Sequence, residues 1–166
     1  MQTTQAGEVF ARVALLMESF QFTISGMDLQ RPWGGFFVID EQQAAKFAAQ
    51  FFPEESLDEL IKGGRISPKI LIVAPHKRLS WQYHRRRAEI WRCIEGPVAV
   101  ASGDQDHPEK EDVLGAGDII RLACEKRHRL IGLDQWGVVA EIWQHIHPDH
   151  PSDEDDIIRL QDDFGR

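Results

Sequence analysis

The 166 residues suffice for one full domain with its own core and are too few for two ordinary ones. A hydrophobic content of 42%, a charged content of 28% and a formal net charge of −8 describe a globular chain for which nucleic acid and anionic membrane are poor partners. No apolar run approaches the roughly 20 residues that span a bilayer. Val13 to Met17 lies between Glu8 and Glu18 with no basic segment ahead of it, which argues against a secretory leader and for the cytoplasm.

In chain order, Val9, Val13, Leu16 and Phe20 recur at helical spacing and predict an amphipathic helix from about Gly7 to Phe20. Gly26 and the run Arg31-Pro32-Trp33-Gly34-Gly35 interrupt it, and Phe36 to Ile39 reads as a short strand. Glu41 to Phe51 is helical again, ended by Pro53, and Ser56 opens another short helix ahead of Asp58 and Glu59. From Ile66 the texture changes to short β-like runs: 69–74, 79–84, 89–94, 98–102, 113–114, 118–122, 128–132 and 137–144. Gly96-Pro97, Gly103-Asp104 and Gly115-Ala116-Gly117 are among the turns between them, a spacing that predicts a sandwich or barrel. Cys93 and Cys124 lie in apolar, strand-like stretches and read as two buried thiols. The acidic segment from Asp149 is interrupted by Ile157, Ile158 and Leu160, which predicts packing on the barrel rather than a free tail.

The segment from His76 to Gly96 carries the chemistry. Gln82 and His84 are two apart, so on a strand both point to one face, and Glu89 and Trp91 can share that interior from the next strand. His128 opens a later strand. Within the basic turn Arg85-Arg86-Arg87, Arg86 keeps the phase of this face, and the other two read as solvated turn residues. Trp91 is expected in the core or pocket lining and Trp81, one residue out of phase with Gln82, outward. His145 and His147 share a face near His150; a solvent-exposed strand end is favoured there over an accessory metal site.

This spacing resembles the two cupin motifs, with His76 at the leading glycine, Gln82 and His84 at HxH, Glu89, then Gly96. Gly117, Ala123-Cys124-Glu125 at the Pro-x-Gly position, His128 and Gly132 follow. The run Leu79 to Trp91 further resembles the LSxQxHxHRAEHW signature of type II phosphomannose isomerases. Arg31-Pro32-Trp33-Gly34 and the segment from Asp155 to Arg166 resemble two other motifs of that branch. The resemblance implies an all-β fold, a cupin jelly-roll β-barrel with an N-terminal helical extension. Residues 1–65 form that extension, 66–148 the barrel core and 149–166 an acidic C-terminal extension, one structural domain in all.

The resemblance further implies one divalent metal held by Gln82, His84, Glu89 and His128. Such a mixed N/O donor set suits zinc, manganese, iron, cobalt or nickel, and the family favours zinc. The implied reaction interconverts mannose 6-phosphate and fructose 6-phosphate, with Arg159, Lys77 and Arg86 as catalytic candidates for phosphate and charge. Lys77, Asp155 and Asp156 are candidates for the base. A sugar phosphate is the implied partner, with a second copy of the chain in a homodimer. Arg86 stands where the branch has histidine, and so does Ile90. They keep open the alternative of a metallo-cupin that is non-catalytic, or differently specific, and binds a sugar or other small molecule.

Overall fold

The computed structural model describes residues 2–166. Helix α1 (Gln2–Ser19) leads into β1 (Ile24–Arg31) and β2 (Gly34–Ile39). A single turn of 3-10 helix then opens α2 (Ala44–Phe51), and α3 (Leu57–Leu60) follows. Nine further strands complete the chain: β3 (Lys69–Val73), β4 (Trp81–Tyr83), β5 (Arg87–Glu95), β6 (Val98–Gly103), β7 (Lys110–Leu114), β8 (Ile119–Leu122), β9 (Arg127–Gly132), β10 (Gly137–His145) and β11 (Ile158–Gln161). They pair antiparallel in two sheets, ordered β1-β2-β3-β10-β5-β8 and β11-β4-β9-β6-β7. The sheets face each other as a jelly roll, and hydrogen bonding does not run continuously round it. No helix of the described residues is long and apolar enough to cross a membrane.

Strand alternation divides the apolar residues between two cores. Leu71, Val73, Trp91, Val100, Leu130 and Val139 meet between the sheets. Ile70, Ile72, Ile90, Val138, Ala140 and Ile142 pack on the opposite face of the larger sheet, beneath Val13, Met17, Phe47 and Phe51 of the helices. Burial on both faces explains why β3 and β10 read as unbroken apolar runs. It also makes the few charged residues within them conspicuous.

Several expectations need adjustment. Helix α1 ends without a glycine: Gln21 takes φ +63°, and the amides of Gln21 and Phe22 bond the carbonyls of Glu18 and Met17, a Schellman closure. The N-terminal third is more than helical, since β1 and β2 form one edge of the larger sheet. The acidic extension likewise supplies β11, paired with β4. Of the two thiols, Cys93 is buried but Cys124 is only partly so. Trp81 does turn away from Gln82, yet it is fully buried, its indole donating to the Asp106 carbonyl at 3.0 Å.

The glycine positions of the resemblance have a backbone reason. His76 and Glu125 replace two of those glycines and keep the left-handed backbone, with φ of +59° and +67°. At Gly132 a Cβ would collide with the Ala74 carbonyl, so no side chain fits there.

Candidate metal centre

Strands β4, β5 and β9 bring the expected ligands together. Gln82 faces His128 directly across the β4–β9 pair, and Glu89 comes from the adjoining sheet. The turn between β4 and β5 is pinned by Asp156, whose carboxylate accepts the amides of Arg85 and Arg86 at 3.0 Å each and the Ser152 hydroxyl at 2.5 Å. The Glu125 amide bonds the His84 carbonyl from the other side, at 2.9 Å.

His84, Glu89 and His128 are all buried, and one donor atom from each lies within 4.8 Å of the others. His84 Nε2 is 3.0 Å from Glu89 Oε1, and His128 Nε2 is 3.6 Å from Glu89 Oε2. These separations suit three donors around one ion at about 2.0–2.2 Å. The tautomers suit it too. His84 Nδ1 faces the Asp156 carbonyl at 2.7 Å and His128 Nδ1 faces that of Lys126 at 2.8 Å. A carbonyl only accepts, so Nδ1 carries the proton in each ring, and in the neutral ring the Nε2 lone pair points inward. His84 Nε2 already meets Arg87 Nη2 at 3.3 Å, whereas His128 Nε2 is buried against the Glu89 carboxylate with no hydrogen-bond partner, a repulsion that a cation between them relieves. The residues present therefore fit a divalent metal.

Gln82 is the fourth expected donor. Its Oε1 already accepts the Ser80 hydroxyl at 2.6 Å, leaving one lone pair for an ion.

Electrostatics favour the binding-ready protonation states. Burial works against the Glu89 charge, but the interaction with the His84 ring and the charge of Arg87 outweigh it and hold the carboxyl well below the usual range, so Glu89 is ionised as a ligand must be. Burial, with the His84 charge, pushes His128 down to about 4 against the pull of Glu89, so the ring is neutral at pH 7.

The arginine beside the metal face is Arg87, not Arg86. The Arg86 guanidinium turns outward to the Pro151 carbonyl at 2.7 Å and to Asp153 at 3.2 Å. Arg87 is buried, donates to Glu89 Oε1 at 2.9 Å and to Ser152 Oγ at 2.8 Å, and lies 3.6 Å above the Trp143 ring. It sits two residues before Glu89 on the same strand and so shares its face; the turn at 85–86 resets the phase set by Gln82 and His84.

Lys77 is a second correction. It is exposed and lines a separate groove with Phe10 and Trp136. Arg159 does line the cavity above the metal face, in company with Arg31 and Arg166. Burial and the charge of Arg166 lower its pKa against the pull of Asp162, with a smaller push from Arg31; Arg166 and Arg31 are themselves paired with Asp162 and Asp28. Asp155 is exposed, and Asp156 is committed to the turn, its carboxyl held low by Ser152 and two amides despite burial.

Two cavity residues escaped the sequence reading, Lys69 and Glu141. Both are buried and point between the sheets from strands otherwise apolar in that region. Burial, then the charge of Glu89, pushes the Glu141 carboxyl up to about 8.

Among the described residues no metal-like group forms at the second histidine cluster. His147 and His150 are exposed; His145 is buried, accepting the Ser152 amide at Nδ1 (2.9 Å), with Nε2 3.1 Å from the Ser67 hydroxyl. Burial and the charges of Arg65, Arg87 and Arg86 depress its pKa to about 4. The folded state thus binds fewer protons here than the unfolded state, so stability is full above about pH 6.5 and falls as pH drops toward 4. Replacing His145 with Gln is expected to flatten this decline by about 3 kcal/mol in denaturant titrations between the two pH limits.

Ile90 also leaves the metal face and packs in the core under the helices. Ile90→His is therefore expected to lower stability by about 2–4 kcal/mol in chemical denaturation, with metal content unchanged.

With the geometry in place, comparison with known proteins is specific. The profile of the family described as mannose-6-phosphate isomerase, C-terminal, matches residues 41–162, which include all four candidate ligands. The alginate biosynthesis protein AlgA of Pseudomonas aeruginosa is 32% identical over 114 residues, covering 69% of this chain and 22% of that protein. The chain thus spans about a fifth of that relative's length. The capsular polysaccharide assembling protein CapF of Staphylococcus aureus superposes with a TM-score of 0.56 at 13% identity, over 82% of this chain and 34% of that one. Vicilin of hazelnut (Corylus avellana) superposes with a TM-score of 0.54 at 19% identity, over 78% of this chain and 35% of that one. Those two likenesses are of fold alone. The family match and the AlgA identity, on a jelly roll whose ligand positions converge, make this chain a member of the mannose-6-phosphate isomerase C-terminal family, a cupin domain like that of type II phosphomannose isomerases.

Proposed function

We propose that this domain is a metal-dependent sugar-phosphate isomerase acting on mannose 6-phosphate and fructose 6-phosphate, or a close relative with altered substrate. The observation that carries the reading is one cavity lined by Gln82 and Glu89, two of the four candidate ligands, together with Arg31, Arg159 and Arg166, with His84 and His128 clustered on Glu89 behind it. A substrate with a carbonyl at one end and a phosphate at the other suits both the ligands and the guanidinium groups. The bound metal supplies Lewis acidity to the substrate's carbonyl and hydroxyl oxygens. The three rim guanidinium groups hold the phosphate, for which forked donors are well matched. Arg87 lies at the floor, where it orients Glu89 and places positive charge beside oxygens that become negative as the proton moves. Trp91 and Trp143 line the cavity walls.

The departures at Arg86 and Ile90 do not favour a non-catalytic reading, because neither side chain reaches the metal face. Zinc is the metal proposed, from the family resemblance and the N/O donor set.

A coupled assay of mannose 6-phosphate conversion tests the proposal. Zinc-, manganese- or cobalt-loaded protein is expected to turn over, and Arg159→Gln to raise KM about tenfold, the worth of about 1.4 kcal/mol of phosphate binding. Absence of turnover with all three metals overturns the isomerase reading.

A further inference from the structure

Glu141 is the buried carboxyl that neither the fold nor the metal set accounts for. It stands on β10 in the inward row Val139, Glu141, Trp143, and is 6% exposed. Its oxygens are held by two neutral donors, the indole N–H groups of Trp91 at 2.8 Å and Trp143 at 2.9 Å. Its cross-strand neighbour Lys69 does not pair with it. That ammonium binds Glu154 and lies over the Trp143 and Phe36 rings. A carboxyl buried without an ion pair opposes stability, and a neutral amide would accept the same two indole N–H groups at lower cost. Such local conflicts mark functional positions.

Its place in the cavity indicates which function. The Trp91 indole N–H is shared between Glu141 Oε2 and Glu89 Oε2, the latter at 3.0 Å, so one donor spans the carboxylate of the metal floor and the free one. The carboxylates lining this cavity are Glu89, Glu141 and Glu154. Glu89 belongs to the metal set, and Glu154 is exposed at the rim in its pair with Lys69. Each Glu141 oxygen keeps acceptor capacity beyond its indole bond, available to a substrate in the cavity.

We propose that Glu141 is the catalytic residue that carries the proton between C1 and C2 of the sugar phosphate, an assignment that rests on the isomerase reading above. In the open-chain aldose its carboxylate takes the C2 proton. The C2–H electron pair becomes the C1=C2 bond, and the C1=O pair moves onto O1. In the return half, the carboxylic acid gives the same proton to C1. The C1=C2 pair forms the new C1–H bond, the O2–H pair becomes the new C2=O2 bond, and the O2 proton passes to O1. No oxidant, reductant or further reactant is required.

Isomerisation and deuterium incorporation at C2 of mannose 6-phosphate are measured in deuterated water for the metal-loaded wild type, Glu141→Gln and Glu141→Leu. Both variants are expected to lose a factor of about 10²–10⁴ in kcat and in exchange, with metal content unchanged and KM within about threefold for the Gln variant. The Gln variant keeps an acceptor for both indole N–H groups and is expected to melt within a few degrees of wild type, a fold kept alongside a loss of chemistry that a structural role would not produce. Either folded, metal-loaded variant keeping more than about a tenth of wild-type kcat overturns the assignment and leaves the isomerase reading standing. A wild type with neither turnover nor exchange overturns both.

Discussion

His128→Ala is expected to take the protein from about one bound metal per chain to less than a tenth of that, while the metal-free protein keeps its fold. The asymmetry follows from the site. In the metal-free arrangement His128 Nε2 has no hydrogen-bond partner, so deleting it breaks no polar contact at that atom. The other ring nitrogen only holds the tautomer, through the Lys126 carbonyl. Loss of a partner outside the coordination sphere typically weakens metal sites 10- to 100-fold; loss of a ligand exceeds that. Elemental analysis of protein purified without chelator, beside a thermal melt with and without EDTA, makes the comparison. Full stoichiometry in the variant would mean that the ligand set is wrong.

Arg87→Ala is expected to give the largest loss of stability of any substitution considered, about 3–5 kcal/mol in metal-free protein. The guanidinium is the buried counter-charge of Glu89, ties Ser152 and the Asp153 carbonyl to the floor, and covers Trp143. Removing it leaves a buried carboxylate facing two imidazoles. A divalent ion neutralises that same carboxylate, so saturating zinc is expected to recover more stability in the variant than in wild type. Denaturant unfolding with and without zinc measures both differences. Equal losses in the two conditions would mean that Arg87 and the metal do not share Glu89.

The parts of this molecule visible in its sequence are those in which side-chain phase runs unbroken. Most of the strands from Lys69 onward are legible as apolar runs bounded by turns; β7 shows only at Val113 and Leu114, because Lys110, Glu111 and Asp112 carry no apolar signal. The ligand positions emerged because Gln82 and His84 are two apart and the motif spacing supplied Glu89 and His128. Phase failed across the turn at 85–86, where counting from His84 selects Arg86 although the new strand starts its own count at Arg87. Strand β1 has few β-formers and lies at a half-exposed sheet edge, so no alternation marks it. Helix α1 ends within a residue of the expected Phe20, closed by Gln21 in the left-handed region rather than by a glycine, and it starts earlier than Gly7 because Gln2 to Ala6 carry no apolar period.

Glu141 and Lys69 were missed for another reason. A single charge in an apolar strand could lie on either face, and only the packing of the helices on the opposite face makes theirs the inner one. The exposure of Lys77 depends on the path of a loop, which carries no periodic signal.

The metal centre is tested most directly by a crystal of the protein purified without chelator, with anomalous data collected on both sides of the zinc absorption edge. The expected result is one anomalous peak per chain, bounded by His84 Nε2, His128 Nε2 and the Glu89 carboxylate, with Gln82 Oε1 as its neighbour. A peak at His145, His147 or His150, or an ordered site holding water alone at full occupancy after zinc soaking, would contradict it.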